Sequence, residues 1–231
     1  MRFKNLFFDL DDTLWAFSEN ARDTFSEVYT GFRLDRYFNS FEHFYTLYKE
    51  KNAELWKLYQ AGEIEKKDLN RTRFYYPLEA VGVTDKKLAE SYSAYFFDHI
   101  SLKTKLMPDA EEVLEYLKGR GYRMFVLSNG FRNLQYQKME SSGLGRYFGK
   151  VVLSDDLGVL KPNPALFRFA LSATQSDLRD SLMVGDSWDA DVVGARDAGM
   201  AQVYFNHVGR TDLPFRPTYE INRLAQLEDF L

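Results

Sequence analysis

The sequence contains no cysteine. Disulfides, thiolate nucleophiles and cysteine metal sites are thereby excluded. Histidine is nearly as scarce. His43, His99 and His207 lie far apart and show no ligand spacing, which argues against an imidazole zinc centre. No apolar run approaches the ~20 residues that cross a bilayer. The apolar stretch at the N-terminus gives way at once to Asp9, Asp11 and Asp12, so no signal peptide is expected. A cytoplasmic setting away from membranes is the resulting expectation. An excess of positive charge is missing too. Lysine plus arginine is 30 and aspartate plus glutamate is 34, a net charge of −4. That balance offers no basic face for a nucleic-acid polymer. What remains is a chain of 231 residues, 45% hydrophobic and 28% charged. It is long enough for a folded core plus an insert.

The texture changes along the chain. Leu6 to Phe8, with Phe3 ahead, reads as a short buried strand ending in Asp9. Residues 15–100 then hold more than half of the aromatic side chains, which marks a separate helical module. Ser40 predicts an N-cap for a helix carrying Phe41, Phe44, Tyr45, Tyr48, Leu55 and Tyr59, ended by Gly62. A further helix is expected from Lys66 until Pro77 interrupts it, and another after Thr84. After Pro108, strands and helices alternate. Strands are expected near Tyr122–Leu127, Val151–Leu153, Leu182–Val184 and Val203–Phe205. Asn163-Pro164 supplies an N-cap and a proline at the first helical position. Helices are also expected over Val192–Ala198 and Leu224–Leu231. The pattern predicts an α/β fold with a doubly wound parallel sheet. Its core would comprise residues 1–14 and 105–231, with a helical insertion over 15–104.

Polar groups recur where the predicted strands end. Asp9, Asp11 and Thr13 follow the first strand, Ser128 the second, and Asp186 and Asp191 the strand Leu182–Val184; Lys161 lies in a connecting loop. Ligands of open parallel sheets bind at such strand ends, where the strand order reverses. Asp9-x-Asp11-x-Thr13 alone is moderately specific, with about 0.07 occurrences expected by chance in a chain of this composition. Joined to a buried strand, Ser128, Lys161 and Gly185-Asp186, it is strong.

On these residues the chain resembles the haloacid-dehalogenase-like superfamily over essentially its whole length. The four motifs are Asp9-x-Asp11-x-Thr13, Ser128, Lys161-Pro162 and Gly185-Asp186 followed by Asp191. The resemblance implies a doubly wound, Rossmann-like core and a cap inserted after the first motif. Asn52, Trp56, Tyr59 and Gly62, with Ser128-Asn129-Gly130-Phe131, are similar to the pyrimidine 5'-nucleotidase subgroup. That subgroup removes phosphate from nucleoside monophosphates.

The chemistry makes sense of the residue types. Asp9 is the expected nucleophile and would form an aspartyl-phosphate. Asp9, Asp186 and the backbone carbonyl of Asp11 offer hard oxygens that suit Mg²⁺. Asp11 would protonate the leaving oxygen and then activate water. Its presence favours a phosphate ester over a haloacid, because an alkoxide needs a proton and a halide does not. A hydroxyl from Ser128 or Thr13, with backbone N–H groups around Asn129 and Gly130, would hold the phosphate, Lys161 would neutralise phosphate and nucleophile, and Asp191 would orient Lys161 or a metal-bound water. Trp15 and Phe17 are the candidates for stacking on a base or sugar, while Arg71 and Arg73 read as a solvated helix face.

The leading expectation is therefore a Mg²⁺-dependent phosphomonoester hydrolase acting on a small phosphorylated metabolite, a pyrimidine nucleoside 5'-monophosphate in the narrower reading. The alternatives are a sugar phosphomutase, a pyrophosphatase or another small-metabolite phosphatase using the same motifs. A non-catalytic phosphoryl-binding regulatory module stands further off. The oligomeric state is left open, a monomer included.

Overall fold

Short, mainly apolar runs become the central strands. In the computed structural model, which describes residues 2–231, β1 (Asn5–Phe8) is buried along its whole length. Four helices follow: α1 (Phe17–Gly31), α2 (Phe41–Gln60), α3 (Lys66–Ala80) and α4 (Lys86–Ile100). Then come α5 (Ala110–Gly119), β2 (Arg123–Ser128), α6 (Arg132–Ser141), β3 (Lys150–Leu153) and the single turn α7 (Ser154–Leu157). The chain continues through α8 (Pro164–Thr174), β4 (Ser181–Gly185), α9 (Gly194–Asp197), β5 (Ala201–Phe205) and β6 (Tyr219–Ile221).

The strands form one parallel sheet in the order β3-β2-β1-β4-β5-β6. Phe8 lies level with Val126 of β2 on one side and Val184 of β4 on the other. The backbone N–H of Asp9 extends the ladder to the Val184 carbonyl (2.9 Å). Successive strands step one way from β1 to β3 and the other way from β4 to β6. The strand order thus reverses between β1 and β4, which opens a crevice at their carboxyl ends. On one face Phe7, Phe125, Leu127, Val152 and Met183 pack against Leu166, Phe167 and Ala170 of α8 and Ala195 of α9. Leu6, Phe8, Val126 and Val184 alternate with them and are equally buried. Burial on both faces is why these strands read as continuous apolar runs.

The chain divides into two compact units. One holds the residues through Phe17 together with Lys103–Leu231, and the other is Ser18–Leu102. The first unit takes in a few more residues than the sequence suggests, because its two crossing segments are zipped together. Ala16 N–H donates to the Lys105 carbonyl (3.1 Å), Met107 N–H to Leu14 (2.8 Å), and the Trp15 indole to Lys103 (3.1 Å).

The helical unit is built on rings. Phe25 is fully buried, with Tyr48 at 4.1 Å and Phe96 at 4.4 Å between centroids, and Phe44 and Phe74 close by. Ser40 caps α2 by accepting from the His43 N–H (3.1 Å), and Asp85 caps α4 by accepting from Leu88 (3.0 Å). Three expectations need correction. Helix α3 does not stop at Pro77 but runs on to Ala80; the proline sits near its end, where a missing N–H removes a single ladder bond. Arg73 is not solvated. It is buried, and donates to Asn52 Oδ1 (3.1 Å) and Asn70 Oδ1 (2.6 Å) beside the rings of Phe74 and Phe97. The last helical stretch, Leu224–Asp229, is 3₁₀ rather than α, in keeping with its buried Leu224 and Leu227 three residues apart. Among the described residues, no helix is long and apolar enough to cross a membrane.

Candidate active site

The crevice between β1 and β4 collects the acidic residues. Asp9 leaves the tip of β1, and Asp186 follows the tip of β4. Just beyond Asp11 the backbone turns through Asp12, whose φ of 56° lies in the left-handed region that aspartate tolerates. Thr13 is thereby brought to Asp186. Its hydroxyl donates to Asp186 Oδ1 (2.7 Å) and accepts from the Asp186 N–H (3.1 Å).

Lys161 is the buried cation of this corner. Its Nζ donates to Asp9 Oδ1 (2.6 Å), Asp191 Oδ1 (2.7 Å) and the Leu127 carbonyl (2.7 Å), which uses all three ammonium hydrogens. Asn129 holds the Lys161 backbone from both sides, accepting from its N–H (2.7 Å) and donating to its carbonyl (2.9 Å). Asp191 belongs to a π-helical turn, Trp188–Val193, which takes in the first two residues of the helix expected over Val192–Ala198. Its other oxygen accepts from the Ser187 N–H (3.0 Å). Gly185 is required here, because a Cβ would collide with the Asp191 carboxylate.

Electrostatics identify what this corner is suited to hold. Burial pushes the Asp9 carboxyl up to about 7 against the pull of Lys161, and Asp191 and Asp11 add to the rise. Asp186 is raised well above the ordinary carboxylate range, by burial first and then by Asp9 and Asp191. Desolvation works against the Lys161 ammonium, yet Asp191 and Asp9 hold its proton more tightly than in an ordinary lysine. Were all three carboxylates to ionise, one ammonium would leave two negative charges in a site largely closed to water, which is why burial opposes the ionisation of Asp9 and Asp186. A divalent cation fits that deficit. Oxygens of Asp9, Asp186 and Asp191 lie within 4.8 Å of one another and are hard donors. Because Asp191 is already engaged by Lys161 and the Ser187 N–H, Asp9 and Asp186 are the better ligands.

Asp11 stands apart from this cluster. Its Oδ1 meets Lys138 Nζ at 2.6 Å and its Oδ2 accepts from Gln135 Nε2 at 2.9 Å. Both partners come from α6, and neither stood out in the sequence. With Gln135 fully buried and Lys138 4% exposed, they interrupt the inward face of that helix, which is the signal that could have found them.

Several expected roles change accordingly. The Thr13 hydroxyl was expected to hold phosphate, but it is committed to Asp186; the Asn129 side chain is taken by the Lys161 backbone, which does not touch the backbone N–H expected to bind phosphate. Trp15 was expected to offer a stacking face. It is fully buried, its indole N–H is engaged, and Lys138 Nζ lies 4.7 Å from its ring centroid and 5.2 Å from that of Phe17. The two rings therefore cradle a lysine. Ser128 Oγ accepts from the Gly130 N–H (3.1 Å) and from Gln135 Nε2 (2.8 Å), which leaves its own hydrogen to donate elsewhere.

The family model of haloacid dehalogenase-like hydrolases matches residues 3–199, and the chain belongs to this family of enzymes. Within it, the chain is 32% identical to the pyrimidine 5'-nucleotidase YjjG of Escherichia coli (strain K12), covering 100% of this chain and 99% of that protein. It is 28% identical to the pyrimidine 5'-nucleotidase PynA of Streptococcus pneumoniae (strain ATCC BAA-255 / R6), over 100% and 96% of the two chains. The crystal structure of the HAD-hydrolase YfnB from Bacillus subtilis bound to magnesium superposes with a TM-score of 0.87 at 24% identity, over 99% of this chain and 98% of that one. That likeness concerns the fold.

Proposed function

We propose that the protein is a Mg²⁺-dependent phosphomonoester hydrolase that works through an aspartyl-phosphate on Asp9, with nucleoside 5'-monophosphates, pyrimidine ones foremost, as its substrates. The observation that carries this reading is the charge pattern of the crevice. A nucleophilic carboxylate lies against an ammonium, a second carboxylate stands beside it for a divalent ion, and a third, Asp11, is held separately. The relatives named as pyrimidine 5'-nucleotidases support the choice of leaving group.

In this reading Asp9 attacks phosphorus as the bond to the leaving oxygen breaks, and Asp11 gives that oxygen its proton. Water then attacks the aspartyl-phosphate, its proton passing to Asp11 as Asp9 is released. Mg²⁺, held by Asp9, Asp186 and the Asp11 carbonyl, would neutralise charge on the phosphoryl oxygens. Lys161 compensates Asp9 and the incoming phosphate, and Asp191 keeps Lys161 in place. The Ser128 hydroxyl donates to a phosphate oxygen. The helical unit acts as the cap that selects the leaving group, and the enzyme works in the cytoplasm.

The test is phosphate release with Mg²⁺ across nucleoside monophosphates, hexose phosphates, pyrophosphate and short acid phosphates, run beside Asp9→Asn. UMP-like substrates should lead, and the variant should lose at least about 10³-fold in kcat. Activity retained by Asp9→Asn would exclude the nucleophile. Preference for another phosphate ester would replace the substrate and keep the reaction.

A further inference from the structure

We propose that Lys138 and Gln135 are positioning residues for the proton-transfer steps, a bracket that holds the Asp11 carboxylate by both of its oxygens. This rests on the reading of Asp11 as acid and base. The two side chains lie three residues apart on α6 and project to one side of it. Lys138 Nζ takes Oδ1 at 2.6 Å, and Gln135 Nε2 takes Oδ2 at 2.9 Å. A carboxylate gripped at both oxygens has lost rotation about its terminal torsion, the soft degree of freedom of an aspartate.

The bracket is itself built in. The Lys138 ammonium is seated over the rings of Trp15 and Phe17, so the residues just past the first motif fix the cation that fixes Asp11. Gln135 Nε2 also donates to Ser128 Oγ at 2.8 Å, so one amide ties the acid to the hydroxyl expected to hold phosphate. Gly130 leaves the space for that amide, since a Cβ there would collide with it. Together these contacts set Asp11 at a fixed place relative to a phosphate on Asp9. Each hydrolysis uses that placement twice. In the first half a proton on a remaining lone pair of the Asp11 carboxyl goes to the leaving oxygen as the Asp9–phosphorus bond forms and the bond from phosphorus to that oxygen breaks. In the second half a water proton returns to Asp11 as the water oxygen bonds phosphorus and the Asp9–phosphorus bond breaks.

The two halves give a test that a purely structural role would not pass. An aryl phosphate such as p-nitrophenyl phosphate leaves as a stable phenolate and needs little help from an acid. A nucleoside monophosphate leaves as an alkoxide and needs that help, whereas hydrolysis of the aspartyl-phosphate needs the base with either substrate. Lys138→Met keeps the length and the apolar packing but removes the cation. With p-nitrophenyl phosphate it should show a burst of nitrophenolate equal to the enzyme, followed by steady turnover reduced by about tenfold or more. With UMP the burst should be absent, and kcat should fall at least as far with KM little changed. Gln135→Met should show the same split more weakly, and Lys138→Arg should recover part of the lost rate. The rise in melting temperature caused by Mg²⁺ should match wild type in all three variants, because neither residue touches Asp9 or Asp186 and both hold the Asp11 carboxylate rather than its backbone carbonyl.

Wild-type kcat on both substrates in Lys138→Met, or losses of equal size in burst and steady rates, would overturn the bracket. If Lys138→Met fails to fold, Lys138→Arg and Gln135→Met decide by the same split. Asp9→Asn run alongside separates the two claims. Activity surviving in that variant removes the underlying mechanism, whereas an inert Asp9→Asn beside an unaffected Lys138→Met removes the bracket alone.

Discussion

The two units bury cations in opposite ways. In the α/β unit Lys161 sits among carboxylates, and Asp191 and Asp9 strengthen its hold on its proton despite desolvation. In the helical unit Arg73 donates to the neutral amides of Asn52 and Asn70 beside aromatic rings, and desolvation lowers its pKa. The first arrangement gathers opposing charges where strand ends converge, and a reaction can use the imbalance. The second embeds one charge in a ring-lined core whose stability comes mainly from apolar area. In the proposed function the reaction chemistry belongs to the first unit, and the choice of substrate is assigned to the second.

The largest expected effect that separates the two is the removal of each cation. Lys161→Met leaves Asp9, Asp186 and Asp191 together without their ammonium, and should destabilise the metal-free protein by about 3–5 kcal/mol. Arg73→Met leaves the neutral Asn52 and Asn70 acceptors among its partners, relieves the burial of a charge, and should shift stability by only about 1–2 kcal/mol. Urea unfolding of both variants in EDTA measures the gap. Equal losses would erase the distinction between the units.

A smaller effect is the pH dependence carried by Asp9. Its carboxyl is raised from an ordinary value of 3.8 to about 7, so the folded state binds this proton more tightly than the unfolded chain does. The resulting stability is fully present below about pH 4 and is lost as pH rises through about 7. The metal-free wild type should therefore lose up to a few kcal/mol over that window relative to Asp9→Asn, which lacks the titrating group. Saturating Mg²⁺ should flatten the difference. A wild-type advantage that grows with pH in EDTA would reverse the assigned sign.

Much of this architecture can be read in the residues themselves. Ser40, and Asn163 followed by Pro164, mark helix starts through local capping chemistry, and the structure places caps there. The strand positions follow from short apolar runs, and the first-motif aspartates from their spacing after one of them. What escaped reading depends on distant partners. Gln135 and Lys138 lie 124 and 127 residues from Asp11, and only the fold brings them together. As a polar pair on a helix they look solvated until α6 is known to turn them inward. Helix α1 was missed because Asn20 and Thr24 share its buried face with Ala21, Phe25 and Val28, which blurs the apolar stripe. Strand β6 has three residues, too few for an alternating pattern to register. Trp15 illustrates the opposite error. An aromatic beside a motif suggests a platform for substrate, but the zipped crossing segments bury it under a lysine.

The proposed mechanism requires the tips of β1 and β4 to share one divalent ion. Calorimetric titration of Mg²⁺ into the metal-free protein, beside Asp186→Asn, tests it most directly. One site is expected in the wild type, with affinity lost or reduced by at least about tenfold in the variant. Mg²⁺ binding of unchanged stoichiometry and affinity in Asp186→Asn would contradict it.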